Sequence, residues 1–309
     1  MKKISVVSGC YNEEGNVEEM YKRVKGIFKD LPQYSYEYIF IDNASKDKTV
    51  EVLKKIAENE KNLKIIINAR NFGHIRSPFY GILQANGDAV IYLVSDLQEP
   101  PELIKEFVKQ WEAGYKVVAG VKTKSKENPL MFLIRKMYYK LINLFSETKQ
   151  IENFTGFALY DRTVVNEMKD INDPYPYLRG LISEFGYDVA TIKYTQPKRI
   201  KGVTKNNFYT LFDMAMLGFV NNSKVPLRIA IFTGIICSII CSFIGFIYLV
   251  YKILFWNRFQ LGIAPLIIGV FFFFSVQLFF IGILGEYIGA IYTQVKKRPL
   301  VIEKERVNF

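Results

Sequence analysis

Short apolar runs rich in β-branched residues alternate, as far as Val121, with longer segments whose apolar residues recur every three to four positions. The first pattern is typical of buried strands, and the second of helices that bury one face. The alternation therefore predicts a doubly wound, mostly parallel α/β sheet. The predicted strands are Ile4–Ser8, Tyr36–Ile41, Leu63–Ile67, Val90–Val94 and Lys116–Val121.

After Val121 the pattern is less regular. Apolar spacing predicts helices over Leu130–Phe145 and Asp161–Met168, with a strand at Phe154–Tyr160 between them. Asn207–Val220 has the amphipathic pattern that is typical of a helix lying on a membrane surface. We therefore expect an α/β domain that is followed by an interfacial helix.

Two long stretches near the end of the sequence are almost free of charged residues. They cover Leu227–Leu254 and Ile263–Tyr292, and each is longer than the roughly 20 residues that cross a bilayer as a helix. The 309 residues include 41 basic and 30 acidic side chains, a surplus that suits nucleic acid, an anionic membrane surface or phosphorylated substrates. The two apolar stretches favour the membrane, and we expect no nucleic-acid partner.

The predicted organisation has four parts. They are an α/β domain, an interfacial segment, a hairpin of two transmembrane helices and a tail, over residues 1–206, 207–226, 227–295 and 296–309. Basic residues flank the hairpin at Lys224, Arg228 and Lys296–Arg298, whereas its loop Trp256–Gln260 carries only Arg258. The positive-inside rule then predicts that both termini and the α/β domain are cytosolic. The first residues lack the apolar core of a secretory signal, which agrees with this orientation.

The stretch VIYLVSDLQEPPE, Val90–Glu102, joins a buried strand to a helix that starts at a double proline. Open α/β sheets bind ligands at the carboxyl ends of their strands, so we expect Asp96 to project into a crevice with Gln98 beside it. Their carboxylate and carboxamide oxygens suit Mg²⁺ or Mn²⁺ held through the phosphates of a substrate. Asp96 is equally compatible with a cap of the following helix.

Polar residues also follow the other strands, and we expect them to share this crevice because the loops at the carboxyl ends converge. No glycine-rich phosphate loop follows the first strand, which disfavours a dinucleotide site or a P-loop ATPase. Acidic side chains after the first two strands suit the sugar hydroxyls and base N–H groups of a nucleotide better than its phosphates. The expected crevice residues are Tyr11, Glu13, Asp42, Arg70, Asn71, Asp96 and Gln98.

Four loop motifs, YNEE, IDNAS, ARNFGH and SDLQEPPE, resemble those of the family 2 glycosyltransferases, which have a GT-A (Rossmann-like) fold. The later stretches PYLRGL, QPKRIKGVTKNN and VPLR, followed by two apolar spans, are similar to the polyprenyl-phosphate glycosyltransferase branch of that family. This branch includes bactoprenol glucosyltransferases and dolichol-phosphate mannose synthases. The resemblance covers nearly the whole chain, with its motifs in the same order.

The resemblance implies a multi-pass enzyme of the bacterial plasma membrane. It would transfer a hexose, with glucose as the first choice, from a UDP-sugar to a polyprenyl (undecaprenyl) phosphate at the cytosolic face, with inversion at the anomeric carbon. Mg²⁺ or Mn²⁺ would be the cofactor. Membrane lipids are further expected partners, and relatives suggest homo-oligomers that associate through the membrane segments.

The resemblance also assigns roles to individual residues. The uridine would contact Tyr11, Glu13 and Asp42, with Arg70 and Asn71 completing the nucleotide-sugar site. The metal would be held by Asp96 and Gln98. Basic residues would meet the phosphates of donor or acceptor, and those expected are Lys122, Arg135, Arg199 and Lys205, the last two for the acceptor at the membrane surface.

Alternatives to this interpretation remain at two levels. The donor could be UDP-N-acetylglucosamine, UDP-galactose or GDP-mannose. The protein could also be a weakened scaffold that binds nucleotide sugar or lipid without turnover, because Val94 stands where relatives carry the first aspartate of a DxD motif. An assay for product formation with polyprenyl phosphate distinguishes an active glycosyltransferase from a scaffold without turnover.

Two further residues have competing interpretations. His74 is the only histidine, but an ionised phosphate nucleophile needs no general base, so a catalytic role is disfavoured. Glu99 could replace the missing metal ligand at position 94, or cap the helix that begins at Pro100. Capping is the favoured interpretation.

Overall fold

The computed structural model describes residues 1–124, 150–197, 223–255 and 263–309, with helical positions at 216, 218 and 220. The strands in these ranges are β1 (Lys3–Cys10), β2 (Ser35–Asp42), β3 (Leu63–Asn68), β4 (Ala89–Tyr92), β5 (Val117–Lys124), β6 (Phe154–Asp161), β7 (Val189–Thr195) and β8 (Glu303–Val307). The α-helices are α1 (Val17–Lys29), α2 (Thr49–Asn59), α3 (Gly73–Gln84), α4 (Ile104–Glu112), α5 (Arg162–Ile171), α6 (Leu178–Glu184), α7 (Val225–Leu254) and α8 (Ile263–Val295).

The strands form one mixed sheet in the order β7-β5-β6-β4-β1-β2-β3-β8. The pairs β1–β2, β1–β4, β2–β3 and β5–β7 are parallel, whereas β6 runs antiparallel to β4 and β5, and β8 runs antiparallel to β3. The α/β alternation predicted from the sequence is confirmed, and the five strands expected before residue 125 are all present. The fold class, an α/β domain followed by two apolar helices, is as expected.

Hydrophobic residues pack on both faces of the sheet. Neighbouring residues of β1 point to opposite faces, so Val6 joins the cluster that also holds Met20 of α1, while Val7 joins the cluster that holds Phe79 of α3. Helix α3 lies very close to the sheet because Gly81 has no side chain. A Cβ atom at Gly81 would lie 2.9 Å from Cγ1 of Val7.

Sequence reasoning did not predict α6, β7 or β8. Strands β7 and β8 lie at the two edges of the sheet and carry exposed polar residues at many positions. Such edge strands lack the continuous apolar run that marks a central strand, and their charges oppose pairing with another chain. Strands β7 and β8 were therefore not predicted because they lie at the edges of the sheet and lack a continuous apolar run.

Helices α7 and α8 are long and apolar enough to cross a membrane, with a mean hydropathy of 2.4 over Val225–Leu254 and 2.3 over Ile268–Val295. They begin and end within three residues of the two stretches predicted from the sequence. The predicted helix Leu130–Phe145 and loop Trp256–Gln260 lie outside the described residues, as does most of the predicted interfacial helix Asn207–Val220.

The chain returns from α8 to the α/β domain. The backbone N–H of Ala69 donates to the carbonyl of Ile302 at 2.9 Å, and β8 then pairs with β3. The side chain of Asn308 donates to the carbonyls of Ala57 and Leu63, at 2.9 Å each. Residues that follow the second apolar helix therefore belong to the same sheet as the first strand of the chain.

Candidate functional site

The candidate site is the edge of the sheet at which the carboxyl ends of the parallel strands meet. Strand β6 runs the other way, so its first residues lie at the same edge. Hydrogen bonds join the loops there. Asn12 N–H donates to Ser45 Oγ at 2.9 Å, linking the loops after β1 and β2, and Ser95 Oγ donates to the Gly9 carbonyl at 2.9 Å, linking the loop after β4 to β1.

The loops after β1 and β2 carry Tyr11, Glu13 and Asp42, as the sequence predicts. Tyr11 and Glu13 are half-buried. Asp42 is fully buried, and its carboxylate accepts hydrogen bonds from the backbone N–H and the hydroxyl of Ser45, the N–H at 2.9 Å. Burial raises the pKa of Asp42, and the bonds from Ser45 oppose that rise. In this structure Asp42 shapes its loop, and its predicted contact with the uridine stays a prediction.

The loop after β3 places Arg70 and Asn71 at the same edge. Both are exposed, and the Arg70 guanidinium lies 4.0 Å from the ring centroid of Phe72. Buried Asn43, which sequence reasoning passed over, joins this loop to β2. Its Nδ2 donates to Asn71 Oδ1 at 3.0 Å, and its Oδ1 accepts from Phe72 N–H at 2.8 Å.

The loop after β4 holds the two predicted metal ligands. Asp96 and Gln98 are half-buried, and the N–H of Gln98 donates to Asp96 Oδ1 at 3.1 Å. Leu97 between them has φ +61°, a left-handed conformation that turns the chain sharply. Val94, at the position of the missing aspartate, packs against the hydrophobic cluster on the α3 face.

Glu99 differs from expectation. It forms no cap of the following helical turn, so the favoured interpretation from sequence is wrong. Its carboxylate instead accepts from Val94 N–H at 2.9 Å and from Thr155 Oγ1 at 2.7 Å, because the loop folds back on itself and against β6. The side chain is only 4% exposed, and burial raises the pKa of Glu99 to about 7 against the opposing effect of these hydrogen bonds.

Four basic residues were expected to meet phosphates. Lys122 lies near the end of β5 and donates to Gln196 Oε1 at 2.8 Å, beyond the end of β7. Strands β5 and β7 are parallel to β4, so their carboxyl ends lie at the same edge of the sheet. Lys122 and Gln196 are therefore also at the edge of the site. Arg135, Arg199 and Lys205 lie outside the described residues.

Behind the loop after β4, a cavity of about 90 Å³ has no counterpart in the sequence-based prediction. Its walls come from the start of α3, the end of β4, the start of β6 and the start of α6. The PYLRGL motif supplies Arg179, the signal in the sequence that could have indicated this region. The lining residues are His74, Ile75, Pro78, Phe79, Tyr92, Thr155, Pro176, Tyr177, Leu178 and Arg179.

The residues at the edge fit a divalent cation that is shared with a substrate's phosphates. Mg²⁺ is commonly bound by one or two carboxylates together with phosphate oxygens and water, and Asp96 with Gln98 supplies such a set. Among the residues that the structure describes, no three His, Cys, Asp or Glu side chains cluster as a complete metal site. Both oxygens of Glu99 already accept hydrogen bonds, so this side chain is not aimed at a metal.

The fold and this edge are those expected of a glycosyltransferase. Residues 5–169 match the family described as Glycosyl transferase family 2. The chain is 35% identical to "Uncharacterized glycosyltransferase YkcC" of Bacillus subtilis (strain 168), over 96% of this chain and 92% of that protein. It is 33% identical to "SfII prophage-derived bactoprenol glucosyl transferase" of Shigella flexneri, over 98% of each chain.

Solved structures agree on the fold. The complex of glucosyl-3-phosphoglycerate synthase from Mycobacterium tuberculosis with Mn²⁺, UDP and phosphoglyceric acid superposes with a TM-score of 0.50. It shares 17% sequence identity and covers 71% of this chain and 76% of that one. The chain therefore belongs to glycosyltransferase family 2, and it is an enzyme of that class.

Proposed function

We propose that this protein transfers a hexosyl group, glucose first, from a UDP-sugar to a polyprenyl phosphate at the cytosolic face of a bacterial plasma membrane. The observation that carries the proposal is the 33% identity to a bactoprenol glucosyl transferase over 98% of each chain, which includes both apolar helices. A soluble acceptor would not require these helices, whereas a lipid acceptor keeps its chain in the bilayer.

The nucleotide end of the donor would lie along the loops after β1, β2 and β3, near Tyr11, Glu13 and Arg70. The hydrogen bonds that join these loops support this placement, because they hold the site in shape before the donor binds. Asp96 and Gln98 would then face the diphosphate. A divalent cation held there with the phosphates would neutralise charge on the leaving group.

The reaction is a single displacement with inversion. A phosphate oxygen of the acceptor forms a bond to the anomeric carbon as the bond from that carbon to the diphosphate breaks, and the electron pair leaves with UDP. The nucleophile is ionised near pH 7, so no general base is required.

The proposed topology places the α/β domain and both ends of the hairpin on the cytosolic side. Support comes from β8, which follows α8 and pairs with β3 of the α/β domain. A chain that crosses the bilayer in α7 must cross back in α8 to make this pairing. The basic residues Lys296–Arg298 after α8 favour the cytosol for that side.

A transfer assay tests the function. Full-length protein in detergent, with labelled UDP-sugars, undecaprenyl phosphate and Mg²⁺ or Mn²⁺, should form a glycosyl lipid with one donor. A donor screen over UDP-glucose, UDP-N-acetylglucosamine, UDP-galactose and GDP-mannose identifies the sugar. Failure of every donor with every metal would contradict the proposal.

The same assay decides a second candidate function. Val94, in place of the first aspartate of a DxD motif, favours a scaffold that binds nucleotide sugar or lipid without turnover. Such a protein would bind UDP-sugar in calorimetry and give no product under any of these conditions.

Cysteine labelling tests the topology. Asn257→Cys, in the loop between the apolar helices, should react with an impermeant thiol reagent in intact cells. Lys304→Cys, at an exposed position on β8, should react only after lysis. The reverse pattern would overturn the orientation.

A further inference from the structure

The cavity behind the loop after β4 contains one permanently charged side chain among its lining residues, Arg179 of α6. No carboxylate in the described part of the chain lies within salt-bridge distance of its guanidinium. The charge of Arg179 nevertheless reaches the loop after β4, since it acts to lower the pKa values of Glu99 and Tyr92 after the larger effect of burial. A cation therefore stands beside the expected reaction centre with no acidic partner among the described residues.

The size and lining of this cavity suit a phosphate group. Its volume of about 90 Å³ exceeds the roughly 30 Å³ that a water molecule occupies in the liquid, by a margin that admits a tetrahedral anion. His74 also lines the cavity, and an N–H of its ring can donate a hydrogen bond to an anion. The fork of an arginine guanidinium binds phosphate oxygens through two parallel hydrogen bonds.

A second cleft adjoins this cavity. It has a volume of about 400 Å³ and shares Tyr177 with the smaller cavity as a common wall. Gln294, in the last turn of α8, lines the cleft and donates to Asp173 Oδ1 at 2.7 Å. The other lining residues are Ile171, Leu181, Glu184 and Phe185.

The two spaces differ in chemistry. The cleft presents apolar side chains from Ile171, Leu181 and Phe185, and its charged residues, Asp173 and Glu184, are acidic. Hydrocarbon suits such a surface, whereas a phosphate would be repelled. A phosphate is therefore better matched to the cavity, where Arg179 supplies a positive charge, than to the cleft.

We infer that the cavity binds the phosphate of the lipid acceptor through Arg179, with the first isoprenoid units of that lipid in the adjoining cleft. This inference rests on the proposed function and names the acceptor subsite. The donor's diphosphate is the other possible source of phosphate. The acceptor is favoured because Gln294 of the apolar helix α8 lines the cleft, and a lipid acceptor must approach from the side of the apolar helices.

Steady-state kinetics with two charge variants test the assignment. Arg179→Gln should raise the KM for undecaprenyl phosphate by roughly ten- to a hundredfold, the loss expected for one or more charge-assisted hydrogen bonds, with the KM for the UDP-sugar nearly constant. Arg179→Lys keeps the charge without the planar fork and should recover part of the loss. Arg306→Gln, which breaks an ion pair with Glu303 on the edge strand β8, is the matched control and should leave both KM values unchanged.

A binding measurement separates this inference from the proposed reaction. Farnesyl phosphate should raise the Tm of the full-length wild-type protein in detergent, and farnesol or inorganic phosphate alone should raise it much less. The shift should be lost in Arg179→Gln and retained in Arg306→Gln. Circular dichroism of each variant checks that the fold is intact, and Arg179→Lys replaces Arg179→Gln if the latter does not fold.

The outcomes are distinct. Wild-type protein that forms no product with any donor, yet shows the Arg179-dependent shift with farnesyl phosphate, would contradict the reaction and support the cavity site. Active wild-type protein whose Arg179 variants keep the acceptor KM would overturn the cavity site alone. A rise in the KM for UDP-sugar, with the acceptor KM constant, would assign Arg179 to the donor and also overturn the inference.

Discussion

Two buried glutamates at opposite ends of the sheet have contrasting surroundings. Glu37, near the start of β2, is 2% exposed, and Glu99, after β4, is 4% exposed. Glu37 accepts hydrogen bonds from Ser5 and from the backbone of Asn86, and it forms ion pairs of 2.8 Å with both Lys3 and Lys64. Glu99 has hydrogen-bond donors but no described cation within salt-bridge distance.

The two environments move the pKa in opposite directions. Burial would raise the pKa of Glu37, but the bonds from Lys3, Lys64 and Ser5 outweigh it and lower the value to about 2. At Glu99 burial prevails, and the pKa rises to about 7. The cations beside Glu37 compensate its buried charge, whereas Glu99, at the edge where the site is expected, has only neutral hydrogen-bond donors among the described residues.

The largest expected effect is a loss of stability at Glu37. Replacing both cations, Lys3→Met with Lys64→Met, leaves a buried charge uncompensated and should lower the free energy of unfolding by about 3–5 kcal/mol. Turnover per folded molecule should not change, because these residues lie at the end of the sheet away from the site. Denaturant unfolding of full-length protein in detergent measures the loss. If the free energy of unfolding of the double variant is within 1 kcal/mol of the wild-type value, the two lysines do not compensate the charge of Glu37, and the proposed difference between Glu37 and Glu99 is wrong.

A pH titration of stability tests the same group without altering the cations. The folded-state pKa of Glu37 is below the unfolded value of about 4.3, so its contribution is fully present above about pH 4.3 and is lost as the pH falls toward 2. The difference between the unfolded and folded pKa values of Glu37 corresponds to about 3 kcal/mol in the free energy of unfolding. The stability difference between wild type and Glu37→Gln should narrow across this range. A constant difference would show that Glu37 is not ion-paired in the folded protein.

At the other end of the sheet, the expected effect falls on activity. Asp96→Asn should lower kcat/KM by roughly a hundredfold or more, because it removes the carboxylate nearest the expected diphosphate, and should leave Tm unchanged. Asp30→Asn, on the surface in a pair with Lys105, is the control and should retain activity. Wild-type turnover of Asp96→Asn over a range of Mg²⁺ and Mn²⁺ concentrations would exclude the metal role.

The smallest effect is expected at the contact between Glu99 and β6. Thr155→Val removes the hydroxyl that donates to Glu99 at 2.7 Å and should lower the free energy of unfolding by about 1 kcal/mol. Activity should fall by less than in Asp96→Asn, because the bond from Val94 N–H remains. Thr191→Val, at an exposed position on β7, is the comparison. An equal change in both variants would mean that Thr155 does not hold the loop.

The sequence by itself determined the elements whose signal is local. The strands β1–β5, the two apolar helices and the polar loops around Asp42, Arg70 and Asp96 were all predicted, because periodicity and loop composition depend on near neighbours. The glycosyltransferase class was predicted as well, since the loop motifs occur in one order along the chain. Parallel strands then place these loops at one edge with no further information.

The tertiary structure decided which distant residues meet. Glu99 was expected to cap the next helix, but its partner Thr155 lies 56 positions away on a strand that runs antiparallel to β4. Arg179 lines the cavity beside the loop after β4 because α6 packs beside β6, and β8 reaches β3 only after the chain has passed through both apolar helices. Local patterns do not encode such pairings, since they arise from burial and hydrogen bonding between segments that fold together.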